Sequence, residues 1–188
     1  IVVFIPVLLN ESLILSYIAI LLFIIASISD FLDGYIARKY NVISDFGKIM
    51  DPLADKILII SAFICFVQLG IAPAWMVIII ISREFLISGI RIIAAQEGKI
   101  IVASKLGKLK TIVEIFVIII ILCLIAFNNT IEHFKISRIH ITMRGWTFSE
   151  YLILKVIPYW LVFLSTLVSL SSGLEYFFKN IKVFKKGI

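Results

Sequence analysis

The apolar positions of this chain fall in unbroken runs. Strings such as IIII at 78–81 and IIIIL at 118–122 carry no alternation. Runs of that kind argue against barrel strands and for helices that are apolar on every face. Six helices are predicted, at residues 1–9, 12–39, 47–69, 74–96, 104–127 and 149–178. The first is expected to be truncated, because the chain opens at Ile1 inside the apolar run IVVFIPVLL. A helix rises about 1.5 Å per residue and the hydrocarbon core of a bilayer is about 30 Å thick, so about 20 residues suffice to span it. Five of the segments meet that length. The expected fold class is all-α: a polytopic membrane protein of six transmembrane helices forming a single domain over 1–188. Connections are short except from Asn128 to Ser149, where Glu132, His133, Lys135, Arg138, His140 and Arg144 stand among apolar residues. That stretch is expected to be an interfacial helix or an irregular excursion.

Composition sharpens the class. Hydrophobic residues make up 62% of the 188 and charged residues 16%, against about 25% charged in soluble domains. Mean hydropathy is +1.13, and one soluble core of this size could not hide so much apolar surface. Lys and Arg number 18 against 12 acids, a net charge of +6. The basic residues are scattered between apolar runs, which argues against a nucleic-acid partner. Counted by loop, Arg38, Lys39 and Lys48 flank the second connection, Lys99, Lys105, Lys108 and Lys110 the fourth, and Lys179, Lys182, Lys185 and Lys186 the C-terminal tail. The third connection (QLGIAPA) has none. By the positive-inside rule, even-numbered connections and both termini face the cytoplasm of a cell membrane rich in anionic lipid, with the basic residues of the fifth connection discordant. Cys65 and Cys123 lie in apolar runs without a partner at metal-ligand spacing and read as buried hydrophobes.

The acids are placed unevenly. All five Asp residues (Asp30, Asp33, Asp45, Asp51 and Asp55) fall within 26 residues. Asp30 and Asp33 are three apart and Asp51 and Asp55 four apart, so each pair shares a helix face. The short stretch 40–46 makes the two helices antiparallel, with Asp33 and Asp51 at one depth and Asp30 and Asp55 one turn further in. Like charges 4 Å apart repel by about 4 kcal/mol at an effective dielectric of 20, so four such carboxylates near lipid call for protons or cations. Hard oxygen donors suit Mg2+ or Mn2+, as a pair of ions. Asp45 reads as a solvated loop residue. Gly34, Ala37 and Gly47 are small enough for a ligand or backbone to approach closely, and the planar donors of Arg38 suit phosphate oxygens.

Written out, the segment 30–55 is Asp30-x2-Asp33-Gly34-x2-Ala37-Arg38-x8-Gly47-x3-Asp51-x3-Asp55. It resembles the complete signature of the CDP-alcohol phosphotransferase family, with all eight fixed positions present. The stretches SDFLDGYIARKYN, GKIMDPLADKIL, SREFLISGIR, LGKLKT and SSGLEYFFKNIKVFKK look most like the phosphatidylglycerophosphate synthase branch. The departures are a missing N-terminal segment and a longer excursion at 128–149. The resemblance implies a six-helix, usually homodimeric enzyme whose metal site opens to the cytoplasm. It makes Asp30, Asp33, Asp51 and Asp55 the metal ligands, with Asp55 also the general base. Gly34, Ala37, Arg38, Ser44 and Gly47 would bind CDP-diacylglycerol, and the acceptor would be sn-glycerol 3-phosphate, giving phosphatidylglycerophosphate and CMP.

A phosphorylated acceptor needs cations of its own. Candidates are Arg83 and Arg91, eight apart on roughly one helix face, with Lys105, Lys108 and Lys110. Beside Glu84, Arg83 also reads as half of a structural ion pair. The signature leaves the acceptor open, so a cardiolipin synthase or a transferase for another alcohol is the alternative. From a different class, the Asp cluster could line a divalent-cation transporter, but the helix beyond Asp55 is nearly pure Ile, Leu, Ala and Phe and offers no polar path.

Overall fold

The computed structural model describes the backbone of residues 2–10, 12–40, 45–96, 104–134, 142–143 and 146–184, and side chains at 2–10, 12–29, 32, 56–91, 94, 104–134 and 150–179. The chain is helical. A short helix α1 (Phe4–Leu8) precedes α2 (Leu13–Tyr40), α3 (Asp45–Gln68), α4 (Ala74–Gln96) and α5 (Lys105–His133). Next come the two-residue strands β1 (Thr142–Met143) and β2 (Trp146–Thr147), then α6 (Phe148–Tyr151), a π-helical turn (Leu152–Val156) and α7 (Ile157–Phe184). Helix α5 packs between α2 and α7, α4 lies against α7 and α3, and α1 sits on α2 and α3.

Local chemistry explains the element ends. Helix α3 stops in a Schellman turn: Ile71 N–H donates to Phe66 O at 2.8 Å and Gly70 N–H to Val67 O at 2.9 Å. That turn puts Gly70 at φ +63°, which glycine adopts without strain. Pro73 then precedes α4, where its fixed φ suits a helix start and its missing N–H costs nothing. Ser104 caps α5, its Oγ accepting from Gly107 N–H at 3.0 Å. Ahead of buried Pro158 the helix widens into the π turn, consistent with a proline ring that crowds the carbonyl of residue 154 and leaves it without a donor. From that turn Lys155 Nζ donates to Gly70 O, setting a positive charge at the carboxyl end of α3.

Several boundaries differ from the sequence expectation, among them the start of α3, at Asp45 and not 47. Helix α5 continues to His133, past the expected end at 127, because its polar residues find partners. Asn129 Nδ2 donates to Ser16 Oγ at 2.6 Å, Tyr17 and Thr130 share a hydroxyl hydrogen bond of 3.0 Å, and Asn128 Nδ2 donates to Glu132 Oε1 at 3.3 Å. The excursion expected from Asn128 to Ser149 therefore begins as helix, and further on it contains a β1–β2 antiparallel ladder with Thr142 opposite Thr147. Helix α7 likewise extends beyond the expected 178 to Phe184.

The core runs through Phe4, Phe23, Phe63, Phe66, Met76, Ile80, Ile118, Ile121, Leu122 and Val162. Outward faces are no less apolar: Leu21, Ile25, Ile78, Phe85, Phe116, Phe127 and Trp160 are all exposed. Along its middle, helix α7 inverts the pattern of a soluble helix. Between buried Val162 and Tyr176 its seam is Ser165, Thr166, Ser169 and Ser172, while Leu164, Leu167, Leu170 and Leu174 face out. Small hydroxylated residues inside and leucine outside is the arrangement of helices packed in lipid.

Candidate functional site

The signature residues are carried by consecutive helices. Asp30, Asp33, Gly34, Ala37 and Arg38 lie in α2, and Gly47, Asp51 and Asp55 in α3. Their side chains, and Ser44 altogether, lie outside the described residues. Asp45, expected in the loop, is the first residue of α3. Among the described residues, no group of three or more His, Cys, Asp or Glu could hold a metal. The fit to a divalent cation therefore rests on the donor set: four carboxylates at i,i+3 and i,i+4 on two helices, a hard all-oxygen set that suits Mg2+ or Mn2+.

Immediately after Asp55, Lys56 begins a charged network. Lys56 on α3 donates from Nζ to Ser88 Oγ of α4, and Ser88 Oγ donates in turn to Glu84 O at 2.7 Å. Lys56 Nζ is 3.9 Å from Glu84 Oε2. The Glu84 carboxylate also accepts from Arg83 Nη1, its chain neighbour, and lies 2.7 Å from Lys110 Nζ on α5. Lys110 is shared: Glu114, one turn on, approaches it at 2.7 Å. Side-chain exposure is 3% for Lys110 and 1% for Glu114, so this pair is withdrawn from water. Arg83 Nη2 reaches α7, donating to Ser172 Oγ at 2.6 Å. The stem of Arg83 lies against Gly173, where an added Cβ would meet Arg83 Cγ at 3.0 Å.

The acceptor candidates separate accordingly. Arg83 and Lys110 are drawn together through Glu84, so the ion pair read beside Arg83 is present and is part of a larger network. Among the described residues Arg91 makes no ion pair with Glu84 or Glu114, and it stacks over the Tyr176 ring of α7, Cζ 5.5 Å from the centroid. Lys105 and Lys108 are exposed near the start of α5. Sequence reasoning missed Lys56, Glu114 and Ser172. For Glu114 a signal existed, an acid inside an apolar run four residues after a lysine. Ser172 carried none, because only the α4–α7 contact brings it to Arg83.

At the other end of α3, Gly70, Ile71, Pro73, Lys155, Tyr159 and Trp160 line an open cleft of about 360 Å3. Gly70 is fifteen residues beyond Asp55, about 22 Å along a helix axis. The cleft is separate from the charged network, and its lysine is bonded to Gly70 O.

The matches to known proteins agree with the signature. A family profile described as CDP-alcohol phosphatidyltransferase matches residues 1–157. A Bacillus subtilis (strain 168) protein named CDP-diacylglycerol–glycerol-3-phosphate 3-phosphatidyltransferase is 40% identical over 177 residues, 94% of this chain and 80% of that protein. A Mycoplasma pneumoniae protein of the same name is 35% identical over 162 residues, covering 86% of this chain and 67% of its own length. One from Rickettsia typhi is 43% identical over 102 residues, 54% of this chain, and the match spans only 57% of that relative.

Proposed function

This chain belongs to the CDP-alcohol phosphatidyltransferase family, and we propose on that footing that it transfers the phosphatidyl group of CDP-diacylglycerol to sn-glycerol 3-phosphate, releasing CMP. The observation that carries this reading is the eight-residue signature, borne on α2 and α3 with Lys56 leading from its last aspartate into the charged network. The names of the Bacillus, Mycoplasma and Rickettsia relatives support the same donor and acceptor.

In this reading Asp30, Asp33, Asp51 and Asp55 hold one or two divalent cations. A bound Mg2+ or Mn2+ supplies neutralisation of the diphosphate charge that builds up as CMP departs. Gly34, Ala37 and Gly47 leave room for the nucleotide beside the helices, while Arg38 and Ser44 donate to its phosphates. Asp55 takes the proton of the acceptor hydroxyl as that oxygen attacks the lipid-bearing phosphorus. The new phosphorus–oxygen bond forms on the acceptor, the bond to CMP breaks, and the proton stays on Asp55. The acceptor's own phosphate draws on Arg83, Arg91, Lys105, Lys108 and Lys110.

The setting is a membrane. Among the described residues two helices, Lys105–His133 and Leu152–Lys179, are long and apolar enough to cross one. The inverted pattern of α7 supports the same placement. We extend this to six spans, to a site facing the cytoplasm as the loop lysines and arginines indicate, and to a homodimer as the family resemblance implies.

The deciding experiment uses purified protein, labelled CDP-diacylglycerol and a panel of acceptors, reading CMP release and the lipid formed. Phosphatidylglycerophosphate formed from glycerol 3-phosphate, lost on chelation and regained with Mg2+ or Mn2+, is the expected result. A different lipid product from another alcohol would overturn the acceptor. Turnover unaffected by chelation would overturn the role of the four aspartates.

A further inference from the structure

Residues 83 and 84 are adjacent, about 100° apart around α4, yet their side chains turn toward each other and bond. The reason lies in what surrounds them. Cations from three helices meet the Glu84 carboxylate: Arg83 from α4, Lys110 from α5 and Lys56 from α3. Glu114 is the second carboxylate of the group, against Lys110. Among the described residues the buried members balance, Arg83 and Lys110 against Glu84 and Glu114, each side chain at most 12% exposed, while Lys56, 31% exposed, adds a positive charge at the edge of the network. A charged donor buried without a hydrogen-bond partner is costly, and an anion brought into the site would relieve it.

Arg83 carries such a donor. Its Nη1 is taken by Glu84 and its Nη2 by Ser172, while Nε is buried with no hydrogen-bond partner among the described residues. The guanidinium is thus clamped on two sides with one donor unspent. Lys110 is clamped likewise between Glu84 and Glu114. Glu84 is the group common to both clamps.

We propose that Glu84 is a positioning residue for a phosphorylated acceptor: it holds Arg83 and Lys110 as one unit, and the acceptor's phosphate takes the donor that Arg83 leaves unspent. This rests on the reading that the acceptor carries a phosphate, and adds to it a carboxylate that never touches substrate. Glu84 fixes the direction of Arg83. Lys56, directly after Asp55 in the chain, ties the unit to the helix bearing the proposed base.

The test is a kinetic comparison of the full chain with Glu84→Gln, Glu84→Asp and Ser172→Ala, varying glycerol 3-phosphate and CDP-diacylglycerol in turn. Loss of one partner from a buried charged contact is costly, so Glu84→Gln is expected to raise the KM for glycerol 3-phosphate by about tenfold or more, with the KM for donor within about twofold. Glu84→Asp is expected to recover part of the loss, and Ser172→Ala to raise the acceptor KM by about threefold. A purely structural Glu84 would instead raise both KM values together in the folded Glu84→Gln enzyme, and that result overturns the proposal. So does an acceptor KM unchanged in Glu84→Gln. Should that variant not fold, an unchanged acceptor KM in Ser172→Ala overturns it in its place. Wild-type protein that transfers only to unphosphorylated alcohols would refute the acceptor reading itself and this inference with it, whereas wild-type use of glycerol 3-phosphate with unmoved variants refutes this inference alone.

Discussion

Lys110 of α5 lies 2.7 Å from Glu84 of α4, joining two helices through a lysine whose side chain is 3% exposed. A lysine so placed is held by its carboxylates, here Glu84 and Glu114, and cannot act as an ordinary loop charge.

Removing that lysine should therefore be expensive. Breaking a buried ion pair on one side costs about 3–5 kcal/mol because the other charge is left behind. Lys110→Met is expected to lower the thermal midpoint of the detergent-solubilised protein markedly, and adding Glu114→Gln should recover a good part of the loss. Absence of recovery in the double variant would show that the penalty does not come from Glu114.

Gly173 makes room for Arg83. In Gly173→Ala the new Cβ would stand 3.0 Å from Arg83 Cγ and 3.7 Å from its Nε, so the arginine must shift from Ser172. The acceptor KM is expected to rise by about threefold while the donor KM holds. Steady-state kinetics with each substrate varied checks this, and a rise in the donor KM alone would contradict it.

Gly70 supplies the contrast, a glycine needed for the backbone and remote from the network. At φ +63° an alanine is strained, and its Cβ would come within 3.1 Å of Lys155 Nζ. Gly70→Ala is expected to cost about 1 kcal/mol of stability and to leave both KM values in place. A melt in detergent run beside the kinetics separates the two.

The α7 seam predicts an inverted substitution pattern. Ser169 is fully buried, so Ser169→Leu overpacks the contact with its neighbours at a cost of about 1–3 kcal/mol. Leu170→Val on the outward face should be tolerated. Equal folded yields for the two would reject the seam.

Asp55→Asn is expected to cut CMP release by at least about a hundredfold, the low end of what a general base contributes. Donor binding should survive, whereas Asp30→Asn should weaken metal and donor binding together. Equal loss of binding in both would show that Asp55 acts only as Asp30 does, through the metal, and would remove its role as the base.

The helices were legible because length and apolarity alone decide whether a segment spans, and segments such as 74–96 kept their predicted bounds. The signature was legible because a shared helix face is a matter of spacing. The continuation of α5 to His133 was not, since Asn129 and Thr130 read as a polar helix end until Ser16 and Tyr17 of α2 stand opposite them. The fate of the lysines at 105, 108 and 110 was equally hidden. Three alike residues in one cluster differ only in which faces a neighbouring carboxylate, and i,i+4 spacing pointed Lys110 at Glu114 without revealing Glu84.

From sequence alone followed the helical class, through transfer free energy, the pairing of the aspartates on helix faces, through local spacing, and the residues proposed for the diphosphate chemistry, through the family resemblance. Only the tertiary structure decided that Arg83, Glu84, Lys110 and Ser172 form one assembly, because the contacts among them cross from α4 to α5 and α7. Such contacts depend on how helices far apart in the chain lie against each other, which no run or period within one helix encodes.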